Sequence, residues 1–289
     1  MRILFLPLVL VLLSVSPAYS ADSPATFAPE FFAFENGVVR IGATEEQIKV
    51  LKKLGYDSLG SAKPHDLPAR LRVHQEADLE ISSLYLGGKI GANKDVHAIN
   101  PAIPEAIRQL KGQDTIIELF VQGSQENTDG EAVAFVREVA DLAKASGLRV
   151  VLYPHAGFYV DTLGDALRIA ELSDRDNVGV MFNLCHFLKV EPQSDLRETL
   201  ENAGDLLWRV STCGADVDGT NWGALIQPLD KGSFDQASFL RMLREIGFSG
   251  DVGLQCYSVP GDPKENLDRS IVAWRQHLAS SLEEPDTSD

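Results

Sequence analysis

The sequence predicts an α/β protein in which eight parallel strands, each followed by a helix, close into a (β/α)8, or TIM, barrel. Short apolar runs recur along the chain, and segments with helical spacing lie between them. Several runs lack polar alternation, as expected for strands covered on both faces. Four runs in the second half end in polar clusters. Polar groups at strand ends are typical of the mouth of such a barrel, so function is expected there.

Eight segments are predicted as strands from their short apolar runs and the turn residues beside them. The number agrees with a closed TIM barrel, and a mature length of about 270 residues is close to the ~250 typical of this fold. The predicted strands are Phe31–Phe34, Ser58–Leu59, Glu80–Tyr85, Thr115–Val121, Arg149–Leu152, Val178–Phe182, Trp208–Ser211 and Val252–Leu254.

Helical segments fill the gaps between these strands. The clearest is Glu131–Ser146, which carries its apolar residues on one side and stops at Gly147, a favourable residue just past a helix end. No linker, repeat or low-complexity block divides the chain into two domains. The other predicted helices are Ala43–Leu54, Leu67–Asp78, Pro101–Leu110, Asp161–Ser173, Gln193–Ala203, Asp235–Ile246 and Asn266–Ser280.

The N-terminal residues 1–20 have the three parts of a secretory signal peptide. Basic Arg2 precedes an apolar run over Ile3–Leu13, and Ala18–Ala21 offers a small-x-small cleavage site. A membrane anchor is the alternative, but the run is shorter than the ~20 residues of a spanning helix. We therefore expect a periplasmic or secreted protein with no membrane association after cleavage. Its barrel domain would span residues 21–280, and residues 281–289 would form a flexible acidic tail.

Charge and cysteine content restrict the partners. The net charge of −16 disfavours nucleic acid and anionic membranes, which would be repelled at long range. The three cysteines are Cys185, Cys213 and Cys256, and each falls at a predicted strand end. An odd number cannot pair completely within one chain. They are either buried small hydrophobes or, for Cys213 at least, a thiol in the site.

The four polar clusters carry a family resemblance. They are Tyr153–His155, Asn183–His186, Cys213–Asp216 and Gln255–Tyr257. This spacing resembles the xylose isomerase-like TIM barrels, a superfamily that includes sugar isomerases, sugar epimerases and endonuclease IV-type enzymes. Members typically show a Glu two residues before a His, an Asp three before a His, a His-x-x-Asp, and a Glu on the last strand, and the four leading residues hold a divalent metal.

The resemblance implies a barrel that acts on a sugar, but its usual metal ligands are replaced. The matching positions are Tyr153, Asn183, Cys213 and Gln255, which offer no carboxylate to a hard cation. We therefore do not expect dependence on magnesium or manganese. A zinc site with Cys213, His155 and His186 as ligands is the alternative, although the spacing of these residues matches no dedicated zinc motif. All four positions are expected at one end of the barrel, facing one cavity.

Three residues are candidates for catalysis: His186, His155 and Glu118. The resemblance assigns His186 to substrate contact, and we expect it to lie at the rim of the barrel with few buried contacts. His155 occupies a position at which the family motif has a histidine. Glu118 lies within an apolar strand, where it is either a general base or a core ion-pair partner, for example of Arg149. The residues expected to bind substrate are Tyr153, Asn183, Gln255, Asp216, Glu35 and Trp222.

Two functions of different kinds follow. In the first, the protein is an exported isomerase, epimerase or lyase for a sugar or sugar derivative, with a reconfigured site that does not use magnesium or manganese. In the second, it is a pseudoenzyme that binds a carbohydrate without converting it. The amide side chains suit hydroxyl groups in both cases, so a small carbohydrate is the expected ligand. The sequence indicates neither the substrate nor the oligomeric state.

Overall fold

A computed structural model describes residues 27–91, 99–124 and 126–283, and the nine strands within these ranges form a single parallel sheet. The strands are β1 (Phe31–Phe34), β2 (Ser58–Gly60), β3 (Glu80–Ile81), β4 (Ser83–Lys89), β5 (Ile116–Gln122), β6 (Val150–Leu152), β7 (Val178–Asn183), β8 (Leu207–Thr212) and β9 (Asp251–Leu254).

The sheet closes into the predicted barrel. Consecutive strands pair in parallel except β3 and β4, which are the two edges of the sheet, and β9 pairs with β1 through Phe32 opposite Gly253. The two edges of the sheet meet where Ala62, just after β2, bridges Leu84 of β4. The amide of Tyr85 donates to the carbonyl of Ala62 at 2.8 Å across this junction. The expected (β/α)8 fold is therefore confirmed.

The third barrel strand is interrupted. A single strand was predicted over Glu80–Tyr85, but Ser82 separates β3 from β4, and β4 continues to Lys89. The Ser82 carbonyl accepts from the amide of Ile116 at 3.0 Å and from Nη1 of Arg209 at 3.2 Å. This second contact, to a buried arginine, cannot be read from the local sequence.

The helices agree with the predicted set except at the barrel mouth. Two short helices, α6 and α8, follow β7 and β8 and were not predicted. They are too short to show a periodic apolar face. The helices are α1 (Thr44–Leu54), α2 (Leu67–Glu76), α3 (Ala102–Gln109), α4 (Asp129–Ala145), α5 (Leu163–Ser173), α6 (Leu184–Val190), α7 (Leu196–Ala203), α8 (Trp222–Leu225), α9 (Gln236–Glu245) and α10 (Pro263–Leu282).

The barrel interior holds its own apolar cluster, separate from the core between strands and helices. Phe32 and Phe34 of β1 lie in this cluster with Tyr153. Glycine makes room for the rings: a Cβ on Gly253 would lie 2.4 Å from the ring of Phe32, and one on Gly60 would lie 2.2 Å from it. Close packing of these rings therefore requires glycine on the strands that flank β1.

An ion pair crosses the same interior. Arg209 of β8 and Glu118 of β5 are both almost completely buried, and Nε of Arg209 lies 3.8 Å from Oε1 of Glu118. The guanidinium also lies 4.1 Å from the ring centroid of Phe32. Ser83 donates to Oε1 of Glu118 at 2.6 Å. Glu118 thus has the core ion-pair role, with Arg209 as partner; the suggested partner Arg149 is wrong, because its guanidinium is exposed and lies over Trp208.

The terminal predictions are only partly covered by the described residues. The signal peptide at residues 1–20 lies outside them, as do residues 284–289 of the expected tail. Helix α10 extends to Leu282, two residues past the predicted end of the barrel domain. Within the described ranges, no helix is both long enough and apolar enough to cross a membrane.

Candidate functional site

A cavity of about 550 Å3 opens at the C-terminal ends of the barrel strands. It is lined by side chains from β1, β2, β4, β6 and β9 or the loops after them, and by the two short mouth helices or their flanks. This is the position at which TIM barrels carry their sites. The lining residues are Glu35, Asn36, Val39, Ser61, Lys63, Tyr85, Tyr153, His155, His186, Trp222, Ile226, Gln255 and Tyr257.

The four positions that match family metal ligands all lie at strand ends, but only two line the cavity. Tyr153 and Gln255 do so. Asn183 is buried beneath the mouth, where its Nδ2 donates to the Pro154 carbonyl at 3.3 Å and its Oδ1 accepts from Ser211. Its amide therefore ties neighbouring strand ends together. The expectation that all four face one cavity is wrong for Asn183 and Cys213.

Cys213 is a buried thiol outside the cavity. Its Sγ lies 3.2 Å from the Leu225 carbonyl, to which it donates. A hydrogen bond with Cys185, together with burial, raises the pKa of Cys213, so the thiol stays protonated. Within the described ranges, no group of three or more His, Cys, Asp or Glu side chains is arranged to hold a metal ion. The conjectured zinc set of Cys213, His155 and His186 is therefore not assembled.

An amide chain links the first and last strands at the cavity floor. Nδ2 of Asn36 donates to Oε1 of Gln255 at 2.5 Å, and Nε2 of Gln255 lies 3.5 Å from the hydroxyl of Tyr153. The amide of Cys256 donates to Oδ1 of Asn36 at 3.1 Å. Burial raises the pKa of Tyr153, so its phenol is neutral. Tyr153 and Gln255 thus offer uncharged hydrogen-bonding groups at two positions where the resemblance implied carboxylates.

Two histidines face each other across the cavity wall in complementary tautomers. The ring centroids of His155 and His186 are 4.1 Å apart, and the backbone of Ala156 contacts both. Nδ1 of His155 lies 3.0 Å from the Ala156 carbonyl, which can only accept, so this nitrogen carries a proton. The Ala156 amide donates to Nδ1 of His186 at 3.3 Å, so that nitrogen carries none. Neutral rings therefore leave Nε2 of His155 as an acceptor and Nε2–H of His186 as a donor.

Burial keeps both rings neutral. Desolvation, with a further effect of the neighbouring His155, lowers the pKa of His186 to about 3. Desolvation also lowers the pKa of His155, against the opposing hydrogen bond to Ala156. His186 is only 5% exposed, in contact with the rings of Tyr153 and Trp222. The expectation of a rim residue with few buried contacts is therefore wrong for His186.

Aromatic rings cover much of the cavity wall. The ring of Tyr85 meets that of Tyr153 edge to face at 4.9 Å, and Phe158 stacks on His155 at 3.9 Å. At the entrance, Trp222 is 37% exposed and Tyr257 is 59% exposed. Such half-open rings suit the apolar face of a sugar.

Glu35 lines the cavity, but its carboxylate is already engaged. Nη2 of Arg70 lies 2.5 Å from Oε1, and the backbone amide of Lys63 donates to Oε2 at 2.6 Å. Nη1 of Arg70 also donates to the Lys63 carbonyl at 2.8 Å. Glu35 and Arg70 thus fix the backbone of the loop after β2, from which the Lys63 side chain reaches the cavity.

The two other acidic candidates lie away from the cavity. Glu118 is completely buried within the barrel, and burial raises its pKa despite the opposing Arg209. Asp216 lies in the loop after β8, where its Oδ2 accepts from Nε2 of Gln227 at 3.0 Å. Neither lines the cavity, so the structure does not bring them together with the histidines.

The sequence interpretation missed several lining residues, above all Asn36, Ser61, Lys63 and Tyr257. Ser61 and Lys63 follow a three-residue strand that had no recognisable polar cluster. A lysine in such a loop usually lies in solvent. Asn36 and Tyr257 lie close in sequence to the predicted site residues Glu35 and Gln255. Their position at the end of a barrel strand was the sequence signal that could have identified them.

The family is decided by a sequence comparison that covers most of the barrel. The family model described as xylose isomerase-like TIM barrel matches residues 48–277. The chain belongs to this family. No curated protein matches the chain in sequence. The family assignment agrees with the resemblance carried by the four strand ends.

Several solved structures share the fold of this chain. The IolI protein, solved with a zinc atom, superposes with a TM-score of 0.72 at 17% identity, over 88% of this chain and 100% of the other. The E. coli 3-keto-D-glucoside 4-epimerase YcjR gives a TM-score of 0.69 at 18% identity, over 86% and 99%. A Methylomonas D-allulose 3-epimerase in complex with D-allulose gives 0.66 at 18% identity, over 86% and 97%. At these identities the likeness shows the fold alone.

The hard divalent metal typical of this family does not fit the residues present. Magnesium and manganese require oxygen ligands, preferably carboxylates, and the four equivalent positions carry a phenol, two amides and a buried protonated thiol. The lone carboxylate lining the described cavity, Glu35, is held by Arg70.

Proposed function

We propose that this xylose isomerase-like barrel binds a sugar or sugar derivative in its mouth cavity and isomerises or epimerises it without magnesium or manganese. The observation that carries the proposal is the pair of histidines at the cavity wall, held in opposite tautomers by Ala156. The sugar epimerases among the structural neighbours support carbohydrate as the ligand class. Exposed Trp222 and Tyr257 provide the stacking surface.

The two rings have the complementary roles that proton transfer next to a carbonyl requires. Nε2 of His155 can accept the proton of a carbon beside the sugar carbonyl, while the C–H electron pair moves onto the carbonyl oxygen. Nε2–H of His186 and the phenol of Tyr153 can donate to that oxygen as it becomes negative. Protonation of the same carbon by solvent from the other face, with His155 releasing its proton to solvent, gives the epimer. Transfer of the His155 proton to the former carbonyl carbon, as the oxygen of that carbon is protonated and the neighbouring hydroxyl loses its proton to form the new carbonyl, gives the isomer.

A carbohydrate-binding pseudoenzyme is the second candidate, and one observation favours it. Both histidine pKa values are lowered, to about 3 for His186, whereas an effective general base has a pKa near the working pH. Among the described residues that line the cavity, none offers a free carboxylate, since Glu35 is paired with Arg70. A protein of this kind would recognise a sugar through the same side chains without moving its protons.

Solvent-exchange measurements separate the two functions. Chelator-treated protein is incubated in deuterium oxide with keto-sugars such as D-fructose, D-tagatose and D-allulose, and carbon-bound deuterium is followed by NMR. We expect incorporation that is lost in His155→Ala and retained in His65→Ala, whose exposed imidazole does not line the cavity. Binding without exchange would support the pseudoenzyme.

The same preparations test metal independence. Manganese should leave both the exchange rate and the melting temperature unchanged, because a ligand stabilises the folded protein only when it binds to it. Activity that appears only when manganese is restored would contradict the proposal.

Export is part of the proposal. Removal of residues 1–20 is expected to leave Ala21 as the first residue of a periplasmic or secreted protein. N-terminal sequencing of protein recovered from the periplasm or medium checks this. Full-length protein beginning at Met1 in the cytosol would contradict it.

A further inference from the structure

Lys63 places an unpaired positive charge in the cavity wall. Its Nζ lies 4.1 Å from the ring centroid of Tyr85 and makes no hydrogen bond or ion pair with any residue that the structure describes. Burial raises the pKa of Tyr85, so the phenol stays protonated and cannot serve as a counter-ion. A cation–π contact positions an ammonium group but leaves its charge uncompensated.

The two nearest carboxylates do not satisfy this charge. Glu35 accepts from Arg70 and from the backbone amide of Lys63, so its two oxygens are engaged. Glu118 lies inside the barrel beside Arg209. Burial lowers the pKa of Lys63, and Glu35 and Glu118 oppose this only in part. Lys63 is an exposed residue at the cavity mouth, and its ammonium has no anionic partner among the described residues, so it is available to an anion from solution.

The remainder of the cavity is close to neutral. Its two histidines are uncharged, and Glu35, the one carboxylate among its described lining residues, is paired with Arg70. In a chain with a net charge of −16, Lys63 is thus the one lysine or arginine among the described residues that line the cavity, and Lys189 lies near the entrance, 5.6 Å from the ring centroid of Trp222. Low-dielectric walls strengthen the attraction of such a group for an anion.

We infer that the site takes an acidic sugar, whose carboxylate binds Lys63 while its ring lies between the mouth aromatics. The inference rests on the carbohydrate function proposed above. One ammonium group balances the single charge of a carboxylate, whereas a phosphate carries more charge and is usually met by several cations or an arginine fork. The volume of about 550 Å3 lies within the ~300–1,000 Å3 of pockets for drug-sized ligands, and accommodates a hexuronate with its substituents.

Matched pairs of neutral and acidic sugars test the inference. Calorimetry compares D-galactose with D-galacturonate and D-glucose with D-glucuronate, using full-length mature protein. The acid of at least one pair should bind about tenfold to a hundredfold more tightly, as expected for a hydrogen bond to a charged group. Its affinity should fall as salt is raised, whereas that of the neutral sugar should not.

Two lysine variants test whether the positive charge that binds the sugar carboxylate is that of Lys63. Lys63→Met should lower the affinity for the acid by about tenfold to a hundredfold, and by more than it lowers the affinity for the neutral sugar, so that the preference for the acid is lost, while the backbone groups that hold Glu35 and Arg70 remain. Lys89→Met is the control, because Lys89 is exposed at the end of β4 and does not line the cavity. Unchanged melting temperatures verify that both variants fold.

Each outcome has a definite meaning. Equal binding of neutral and acidic sugars by the wild-type protein overturns the acidic-sugar inference but leaves the carbohydrate function standing. A preference that survives Lys63→Met also overturns it. Borohydride trapping of a sugar on Lys63, but not on Lys89, makes Lys63 an amine nucleophile and overturns its role as counter-ion. Failure of every sugar to bind contradicts the proposed function and this inference together.

Discussion

Replacing Arg209 by methionine is expected to destabilise the protein by about 3–5 kcal/mol, because it leaves Glu118 as an uncompensated charge inside the barrel. Arg209 is 1% exposed, and it contacts Glu118, the Ser82 carbonyl and the ring of Phe32. Equilibrium denaturation in urea measures the loss, and the melting temperature should fall by roughly 10 °C.

The loss of unfolding free energy caused by Arg209→Met should also depend on pH. Burial already raises the folded-state pKa of Glu118 above its ordinary value of 4.5, and removal of Arg209 takes away the main opposing charge. A carboxyl group with a raised folded-state pKa favours folding while it is protonated, and this contribution is lost as pH rises through that pKa. The variant should therefore be closer to wild type at pH 5 than at pH 8.

Two further variants control for the chemistry of the Arg209 substitution. Arg149→Met removes an exposed arginine that stacks over Trp208, and it should cost less than about 1 kcal/mol. The double variant Arg209→Met with Glu118→Leu buries no charge, so it should be more stable than Arg209→Met alone. If Arg209→Met unfolded at the wild-type urea concentration, the pair would contribute nothing to the fold.

Replacing His186 by alanine is expected to have the largest functional effect. The substitution removes the donor Nε2–H from the cavity, and loss of an acid or base group typically reduces turnover by about 10²–10⁴-fold. Because His186 is buried against Tyr153 and Trp222, we also expect a stability loss of about 1–3 kcal/mol. Turnover of the keto-sugar found by solvent exchange, measured below the melting temperature, checks the prediction.

Two control variants, Tyr153→Phe in the cavity and His65→Ala on the surface, are compared with His186→Ala. Tyr153→Phe should weaken binding less, since one hydroxyl is lost and the ring remains. His65→Ala should change neither activity nor stability, because that ring is exposed outside the cavity. A folded His186→Ala protein with unchanged sugar affinity and turnover would remove His186 from the site.

Acid sensitivity gives a second measure of His186. Burial lowers its folded-state pKa to about 3, whereas an unfolded histidine titrates near pH 6.5. The unfolded state therefore binds a proton that the folded state does not, and stability falls as pH decreases from about 6.5 toward 3. The unfolding free energy of His186→Ala should therefore fall less steeply with decreasing pH than that of the wild type or of His65→Ala. The difference in slope should correspond to about one proton bound on unfolding.

The sequence alone determined the barrel, because its evidence is local. Each strand is a short apolar run beside turn residues, and helix α4 ends at Ala145, close to the predicted stop at Gly147, which has a positive φ of 78°. The strand-end clusters also placed Tyr153, His155, His186 and Gln255 at one mouth. The loss of metal-binding carboxylates was readable for the same reason, since a residue type is a property of the sequence itself.

Only the tertiary structure decided which strand-end residues share the cavity. Asn183 and Cys213 satisfied the spacing, yet their side chains contact neighbouring strand ends and helices instead. Arg209 meets Glu118 across the barrel, from strands that are not adjacent, so no pattern within either strand reveals the pair.

Lys63 shows the same limit at the site. Its loop is anchored by an ion pair between Glu35 and Arg70, residues that are far apart in the chain and brought together by the fold. Where a side chain points, and whether its charge has a partner, depends on contacts between distant segments. Closure of the barrel creates those contacts, whereas the local hydrophobic pattern specifies only the strands and helices that build it.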